Sequence, residues 1–169
     1  EDTTEQLISL LALGEIDVAI IALPIAHHGF SSKVLGKDRF YIAGDPLLVK
    51  RFNESNDYQE LPERSVFLLT QEHCLTEHAV SACQLADPSR INAFSASSLA
   101  TLVQMTAYHR GCTFLPEMAV KKGLGLAEKL QIEPLAPEYY REIGMLWRAT
   151  SRRKVTFMTL ARIVENLLS

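Results

Sequence analysis

Two cysteines stand close together in this sequence and are the side chains best suited to carry chemistry. Cys74 follows His73 directly, and Cys83 comes nine positions later. A third cysteine, Cys112, lies in an apolar segment and is expected to pack in a core. An odd cysteine number argues against a secreted disulfide framework and favours reduced thiols in a cytoplasmic protein. A pair of cysteines with suggestive spacing is then more typical of redox or metal chemistry than of a static crosslink.

The spacing of Cys74 and Cys83 creates a geometric conflict. The apolar pattern predicts a helix over 76–85, with Cys74 just before it and Cys83 inside it. Nine residues of helix rise roughly 13 Å, whereas a disulfide needs Cα atoms within about 7 Å. A bond between the two sulfurs would therefore require the first helical turns to unwind, which makes oxidation a conformational switch. Cys74, at the helix N-terminus beside His73, is expected to be the reactive thiol, and Cys83 its resolving partner.

The two cysteines are also compatible with three alternative roles. Both can be small apolar core residues without any chemistry. Cys74 and His78 are four positions apart, as zinc ligands on a helix can be, with His73 and Cys83 as further candidates, although these side chains cannot all share one helix face. A cysteine hydrolase would need a distant histidine such as His109. We expect no metal and no cofactor.

The composition is typical of a folded protein with one domain or two small lobes. The chain has 169 residues, of which 47% are hydrophobic and 22% charged, and its formal net charge is -3. It is long enough to bury a core, and its charge has the wrong sign for gripping a nucleic-acid backbone by itself. The apolar run 16–24 falls short of the roughly 20 residues that a membrane helix needs, so no membrane partner is expected. The residues after Glu1 lack a signal-peptide pattern.

Helical and strand patterns alternate along the chain, which favours an α/β fold with mostly parallel sheets. Capping residues mark several helix starts, including Thr3, Asp45 before Pro46, and Ser97 or Ser98. The segment 36–38 predicts a turn that leads into a strand, and 53–64 predicts a surface loop. The predicted helices cover 3–13, 46–52, 76–85, 98–109, 116–122 and 151–168, and the predicted strands cover 16–23, 40–42, 65–69, 91–94, 112–115 and 143–147.

Several of these segments together resemble a known family. The pair His73-Cys74 with Cys83, followed by 94–102 (FSASSLATL) and 111–116 (GCTFLP), is similar to the regulatory domains of peroxide-sensing LysR-type transcription regulators, the OxyR family. The likeness extends over nearly the whole chain. Its most specific part is the cysteine spacing with the preceding histidine, because the remaining segments are general to LysR-type domains.

The resemblance implies a periplasmic-binding-protein-like fold of type II, in which two α/β lobes are joined by two crossover strands. The crossovers are expected near 38–41 and 139–143. Lobe I would then comprise 1–39 and 142–169, and lobe II would comprise 40–141 and carry the redox cysteines. The first strand and helix of the family's domain have no counterpart before Glu1, so lobe I is expected to be incomplete at its start.

The resemblance also implies a redox mechanism and the residues that perform it. Hydrogen peroxide would oxidise Cys74, the peroxidatic cysteine, to a sulfenic acid, and Cys83 would resolve it into a reversible disulfide. Thr4 and His73 match positions that hydrogen-bond the peroxide or its water. Arg141 matches a basic position near the sensing region and is the third expected peroxide-binding residue. The domain would be a sensor in a transcription activator and not a turnover enzyme.

The partners implied by the resemblance are hydrogen peroxide, further copies of the chain in a homodimer or homotetramer, and RNA polymerase. Promoter DNA would be bound only through an N-terminal winged helix-turn-helix that has no counterpart in this sequence. The alternative function is a LysR-type module that binds a small organic effector, with incidental cysteines and with Ser97, Ser98 and Thr4 lining the binding cleft. A peroxidase, which needs an external thiol reductant, is a weaker third hypothesis.

Overall fold

The structure is a computed structural model that describes residues 2–25, 28–55, 57–70, 87–136 and 138–168. No helix within these ranges is long and apolar enough to cross a bilayer. The described helices are α1 (Thr4–Leu13), α2 (Pro46–Ser55), α3 (Leu99–Tyr108), α4 (Glu117–Lys121) and α5 (Lys154–Leu168). The described strands are β1 (Val18–Leu23), β2 (Phe30–Gly44), β3 (Val66–Leu69), β4 (Ile91–Ala96), β5 (Cys112–Pro116), β6 (Gln131–Pro134) and β7 (Tyr140–Arg148). Two short 3-10 helices cover Tyr58–Glu60 and Pro88–Arg90.

The chain divides into two compact units. Unit 1 comprises Glu1–Asp38 and Arg141–Ser169, and unit 2 comprises Arg39–Tyr140. The chain therefore passes from one unit to the other twice, between Asp38 and Arg39 and between Tyr140 and Arg141. The predicted α/β fold class is confirmed, since each unit combines strands with helices.

Unit 1 is built on β7, which is hydrogen-bonded to β1 on one side and to β2 on the other. Successive side chains of a strand point to opposite faces, so β7 contributes to two separate cores. Leu146 packs with α1 and β1, whereas Met145 and Trp147 pack with Phe157 of α5 and with Leu35. Helices therefore provide apolar contacts for both faces of this strand.

The helix ends follow the capping signals in the sequence. The Thr3 hydroxyl accepts a hydrogen bond from the Gln6 amide at 3.3 Å, and α1 ends at Gly14, whose φ of 81° is readily adopted by glycine. The Asp45 carboxylate accepts from the Leu47 amide at 2.9 Å at the start of α2. Each contact is local in sequence, which is why the pattern alone predicts it.

Arg148 links the end of α1 to β7 in unit 1. Its Nη1 donates to the carbonyl oxygens of Leu11 at 2.5 Å and Ile16 at 2.7 Å, and its Nη2 donates to the Asp17 carboxylate at 3.1 Å. Arg153 donates to the other Asp17 oxygen at 2.6 Å. The Leu11 carbonyl also accepts from the Gly14 amide at 3.2 Å, so Arg148 adds a second hydrogen bond at the end of α1.

Unit 2 has β5 at the centre of its sheet, in the order β2, β5, β3, β4. β5 runs antiparallel to β2 and parallel to β3, β3 is parallel to β4, and β6 is antiparallel to β2. In unit 1, β1 and β7 are antiparallel. The sheets are thus mixed, and the prediction of mostly parallel sheets is corrected in this detail. Apolar runs report burial of both strand faces and carry no information on strand direction.

Two further predictions need correction. The segment 36–38 is not a turn, because β2 runs without interruption over Phe30–Gly44. Asp38 is buried inside that strand, where a charged residue is tolerated because it has an arginine partner. β6 was not predicted, since Gln131–Pro134 is a short segment with exposed and half-buried residues only and carries no clear apolar pattern.

Candidate functional site

Three of the five predicted site residues lie outside the described residues. His73, Cys74 and Cys83 belong to 71–86, as does the helix predicted over 76–85. The described residues do, however, define both ends of this segment and the elements around them. Thr4 and Arg141 are described directly.

Residues 71–86 connect two adjacent parallel strands of unit 2. They follow β3 and precede β4, and the register pairs Leu69 with Ala96. At the beginning of the connection the Thr70 amide donates to the Ala96 carbonyl at 2.9 Å. At its end, Asp87 accepts from the Ser89 amide at 2.9 Å and caps a 3-10 helix. Parallel neighbours require a crossover connection, commonly a helix, so the predicted helix over 76–85 is compatible with this topology.

The connection begins beside the N-terminus of α3. Thr70 is hydrogen-bonded to Ala96, the last residue of β4, and α3 starts at Leu99. Ser98 is the residue that caps α3, because its hydroxyl accepts from the Thr101 amide at 3.1 Å. Helix N-termini carry partial positive charge, which stabilises nearby anions such as a thiolate or a carboxylate. Thr70, the last described residue before 71–86, therefore lies at the edge of the sheet from which the chain enters α3.

Arg141, which is half-buried, forms an ion pair with the buried Asp38 in unit 1. Its Nε and Nη2 donate to the same carboxylate oxygen, Asp38 Oδ2, at 3.0 and 2.9 Å. The Asp38 side chain is 1% exposed and the Arg141 side chain 15% exposed. The family resemblance selected Arg141 but placed Asp38 only at the edge of a crossover. The signal that could have identified Asp38 is an acidic residue within a segment that continues into an apolar strand.

Thr4 and His109 are two further candidate site residues, and their surroundings differ. Thr4 is the first residue of α1 and is half-buried. His109, considered as a partner for a catalytic cysteine, stacks on Phe67 with ring centroids 5.5 Å apart and planes 23° apart.

Within the described ranges, no cluster of His, Cys, Asp and Glu side chains could hold a metal ion.

Cys112 is enclosed at the centre of unit 2. It is 0% exposed, and burial raises the pKa of its thiol from 9.0 to about 12. Gly44, which pairs with it across the sheet, lies so close that a Cβ there would overlap the Gly111 carbonyl oxygen and the Cys112 backbone. The thiolate is the nucleophilic form of cysteine, so burial leaves Cys112 with a low thiolate fraction near neutral pH. The prediction that this residue packs in a core is confirmed.

Comparisons with known proteins identify the relatives of the chain. The family model of the LysR substrate binding domain matches residues 1–168. A probable hydrogen peroxide-inducible genes activator of Mycobacterium avium is 33% identical over 100% of this chain and 55% of its own length, and the DNA-binding transcriptional dual regulator OxyR of Escherichia coli is 28% identical over 98% of this chain and 54% of its own. The chain thus spans about half the length of these relatives. The reduced form of the OxyR2 regulatory domain from Vibrio vulnificus has 47% identity and a TM-score of 0.87, covering 99% of this chain and 79% of that one.

Proposed function

Because the chain belongs to the family of LysR substrate binding domains, we propose that it is the redox-sensing regulatory domain of a hydrogen-peroxide-responsive LysR-type transcription activator. The observation that carries this proposal is the 47% identity, over 99% of the chain, to a regulatory domain of the OxyR type. The curated relatives named as peroxide-inducible activators support it independently.

The sensing chemistry consumes one peroxide for each disulfide formed. The Cys74 thiolate attacks one peroxide oxygen, so that an S–O bond forms, the O–O bond breaks and the other oxygen leaves as water after protonation. Cys83 then attacks the sulfenic sulfur and expels a second water. Both thiols are oxidised, peroxide is reduced to two water molecules, and reduction of the disulfide resets the switch. The domain acts once per signal and is not a turnover enzyme.

Three residues bind the peroxide in this proposal: Thr4, His73 and Arg141. A hydroxyl and an imidazole can exchange hydrogen bonds with peroxide, and a guanidinium stabilises negative charge that develops on the departing oxygen. Units 1 and 2 are proposed to be lobes I and II of the family's domain, with the cysteines in lobe II.

The buried state of Cys112 narrows the choice of reactive thiols. Its raised pKa and complete burial both slow its reaction with peroxide at neutral pH. Cys74 and Cys83 are the remaining cysteines in the sequence, and they share one connection between parallel strands. An intramolecular disulfide is therefore proposed for this pair and not for either thiol with Cys112.

The same proposal also assigns binding partners to the whole regulator. In the parent protein the domain would associate as a homodimer or homotetramer, and a winged helix-turn-helix outside this chain would contact promoter DNA. RNA polymerase would be the downstream partner, and the cytoplasm the place of action. These assignments concern the whole regulator, since the chain spans about half the length of the curated relatives it matches.

A thiol count after stoichiometric peroxide tests the proposal. We expect three free thiols in the denatured, reduced chain and one after oxidation, with the remaining thiol mapped to Cys112. Cys74→Ser should keep its two thiols, and Cys83→Ser should stop at a sulfenic acid that a sulfenate-specific reagent traps. Cys112→Ala is the matched control and should lose both of its thiols at the parental rate. A Cys74 that stays reduced, or oxidises no faster than free cysteine, contradicts the proposal.

A second candidate function is the binding of a small organic acid with incidental cysteines. It is favoured by the N-terminus of α3 at the edge of the sheet, where Ser98 caps the helix, because such termini bind carboxylates. A thermal-shift screen with small acids distinguishes the two functions. A strong stabilisation by one acid, unchanged in Cys74→Ser, together with peroxide-insensitive thiols, would favour this second function.

A further inference from the structure

We propose that one exposed face of α5, in unit 1, is a docking surface for a short acidic segment of another protein. This basic face consists of Arg152, Lys154, Val155 and Arg162, all exposed, with Arg152 just before the helix. The partner is defined by its chemistry, which is carboxylates on both sides of one apolar side chain. The inference goes beyond the proposed function and involves none of the cysteines, so either can fail without the other.

Positive charge is concentrated in this part of the chain. Residues 148–168 contain five basic side chains and one acidic side chain, although the whole sequence has 17 basic and 20 acidic residues. The acidic side chain, Glu165, pairs with Lys33 of β2 at 2.7 Å, although Arg162 lies only three positions away on the same helix. The positive charge of α5 is therefore not neutralised within the helix.

Asp17 neutralises only part of the positive charge at the start of α5. Its two carboxylate oxygens accept from Arg148 at 3.1 Å and from Arg153 at 2.6 Å. The cations of the basic face form no ion pair with a residue in the described ranges: Arg152, Lys154 and Arg162. An acidic partner can therefore reach three exposed cations without displacing an ion pair among the described residues.

The stability of α5 does not explain the cations at its start. A helix N-terminus carries partial positive charge, so acidic side chains are favourable there and cations are unfavourable. The first turn of α5 has no acidic residue and begins with Lys154. These cations therefore repel the helix terminus, and an anionic partner would reduce that repulsion.

An exposed valine gives the basic face an apolar contact. Val155 is 82% exposed. Phe157 and Ala161 pack in the core of unit 1, and the helical period places Val155 on the opposite side. Lys154 and Arg162 are separated by roughly 12 Å along the helix axis, which an extended segment spans in about four residues. A segment with carboxylates at both ends of such a span can contact the cations while a side chain between them covers Val155.

The same features favour an acidic protein segment over a nucleic acid. Phosphates contact cations but offer no apolar group to cover Val155. The formal net charge of -3 also repels a long polyanion. An apolar contact surrounded by polar and charged pairs is, by contrast, the usual arrangement of a protein–protein interface.

A nuclear magnetic resonance titration of the isotope-labelled chain tests the proposal. The probe is a five-residue peptide with two glutamates on each side of a leucine, and the control peptide carries glutamines in place of the glutamates. We expect amide shifts over 151–166 to change with the acidic peptide and to stay nearly constant with the control. The dissociation constant should rise about 5-fold or more between about 50 mM and about 500 mM NaCl, since salt screens exposed charges.

Two double variants separate the basic face from the overall charge. Arg152→Gln combined with Arg162→Gln should weaken binding about 10-fold, because each exposed ion pair contributes roughly 2- to 5-fold to an affinity. Lys121→Gln combined with Lys122→Gln is the matched control, since it removes two exposed cations of unit 2, and it should bind within about twofold of the parent chain. Val155→Ser, which keeps the charge, should weaken binding about 3-fold. Thermal melting verifies that each variant folds.

Several results would overturn the proposal. They are the absence of binding at millimolar peptide, equal binding of the control peptide, shift changes remote from α5, and equal weakening by the two double variants. A short DNA duplex that shifts the same amides at lower concentration than the acidic peptide would assign the face to nucleic acid instead. Shifts of these amides that depend on chain concentration alone would assign it to contacts between copies of the chain. The thiol count is a separate measurement, so the proposed function stands or falls independently.

Discussion

Cys112 should react with iodoacetamide at least about 50-fold more slowly in the folded protein than in the unfolded chain. Burial raises the pKa of its thiol from 9.0 to about 12, which lowers the thiolate fraction at neutral pH about 1,000-fold. A more basic thiolate is intrinsically more nucleophilic and regains about 20-fold of that loss. Complete burial also hinders the approach of iodoacetamide to the sulfur, so the factor of about 50 is a lower limit.

Mass spectrometry of the peptide that carries Cys112 follows this labelling directly. The folded chain and the chain in concentrated guanidinium chloride are treated in parallel, so the unfolded chain supplies the reference rate. The folded-state rate should keep rising tenfold per pH unit up to about pH 10, whereas the unfolded chain levels off near its lower pKa. Labelling of folded Cys112 within tenfold of the unfolded rate would refute this reasoning, because it would show that burial neither shields the thiol nor lowers its reactivity. Cys112 could then no longer serve as the unreactive thiol in the thiol count.

Further predictions concern stability, measured by the midpoint of urea unfolding. Asp45→Ala should destabilise the fold by about 1–2 kcal/mol, and Asp45→Asn by less, since asparagine keeps the helix cap. Burial raises the pKa of Asp45, but its hydrogen bonds and its ion pair with Arg110 outweigh burial, so the net pKa is lowered. The ionised carboxylate therefore stabilises the fold at neutral pH, and this contribution is lost as the carboxylate protonates below about pH 4. Arg148→Ala should cost about 2–3 kcal/mol, and the more exposed Arg153→Ala less than about 1 kcal/mol. Gly44→Ala should cost about 3 kcal/mol because its Cβ overlaps backbone, whereas the Cβ of Gly36→Ala would make ordinary contact at 3.6 Å and leave the midpoint nearly unchanged.

Local signals in the sequence predicted the parts of the fold that depend on nearby residues. The caps at Thr3, Asp45 and Ser98 each involve a backbone amide two or three positions away. The preferences of hydroxyl and carboxylate side chains at helix starts therefore suffice to place these ends. The strand around Cys112 was predicted for a similar reason, because its apolar run reports complete burial.

Features that depend on distant residues were not predicted correctly from the sequence. Gly36 and Asp38 indicate a turn by local preference, but the Asp38 carboxylate accepts hydrogen bonds from Arg141, which is 103 positions away. The polar segment 53–64 predicts a loop, yet Tyr58 and Leu61 within it are buried in the core of unit 2. In both cases tertiary contacts override local preference, which a single sequence does not reveal.

The candidate site also combines a residue that the sequence pattern indicates with one that only a distant contact reveals. Arg141 was selected because its segment resembles a family pattern, and the structure then supplied its partner Asp38. The partner could not be inferred from spacing, because the two residues meet only when β2 and β7 lie side by side. The roles of Thr4, His73 and the cysteines stay predictions.

The sheet of unit 2 influences the energetics of the segment that it tethers. Leu69 and Thr70, which precede residues 71–86, contact Ala96 at the end of β4. The connection re-enters the sheet before Ile91, which pairs with Val66 at the other end of the two strands. The parallel pairing of β3 with β4 therefore fixes the two points between which residues 71–86 run, at opposite ends of the strand pair. The entropic cost of fixing these two points is incurred when the strands pair, and it does not depend on a bond formed within 71–86.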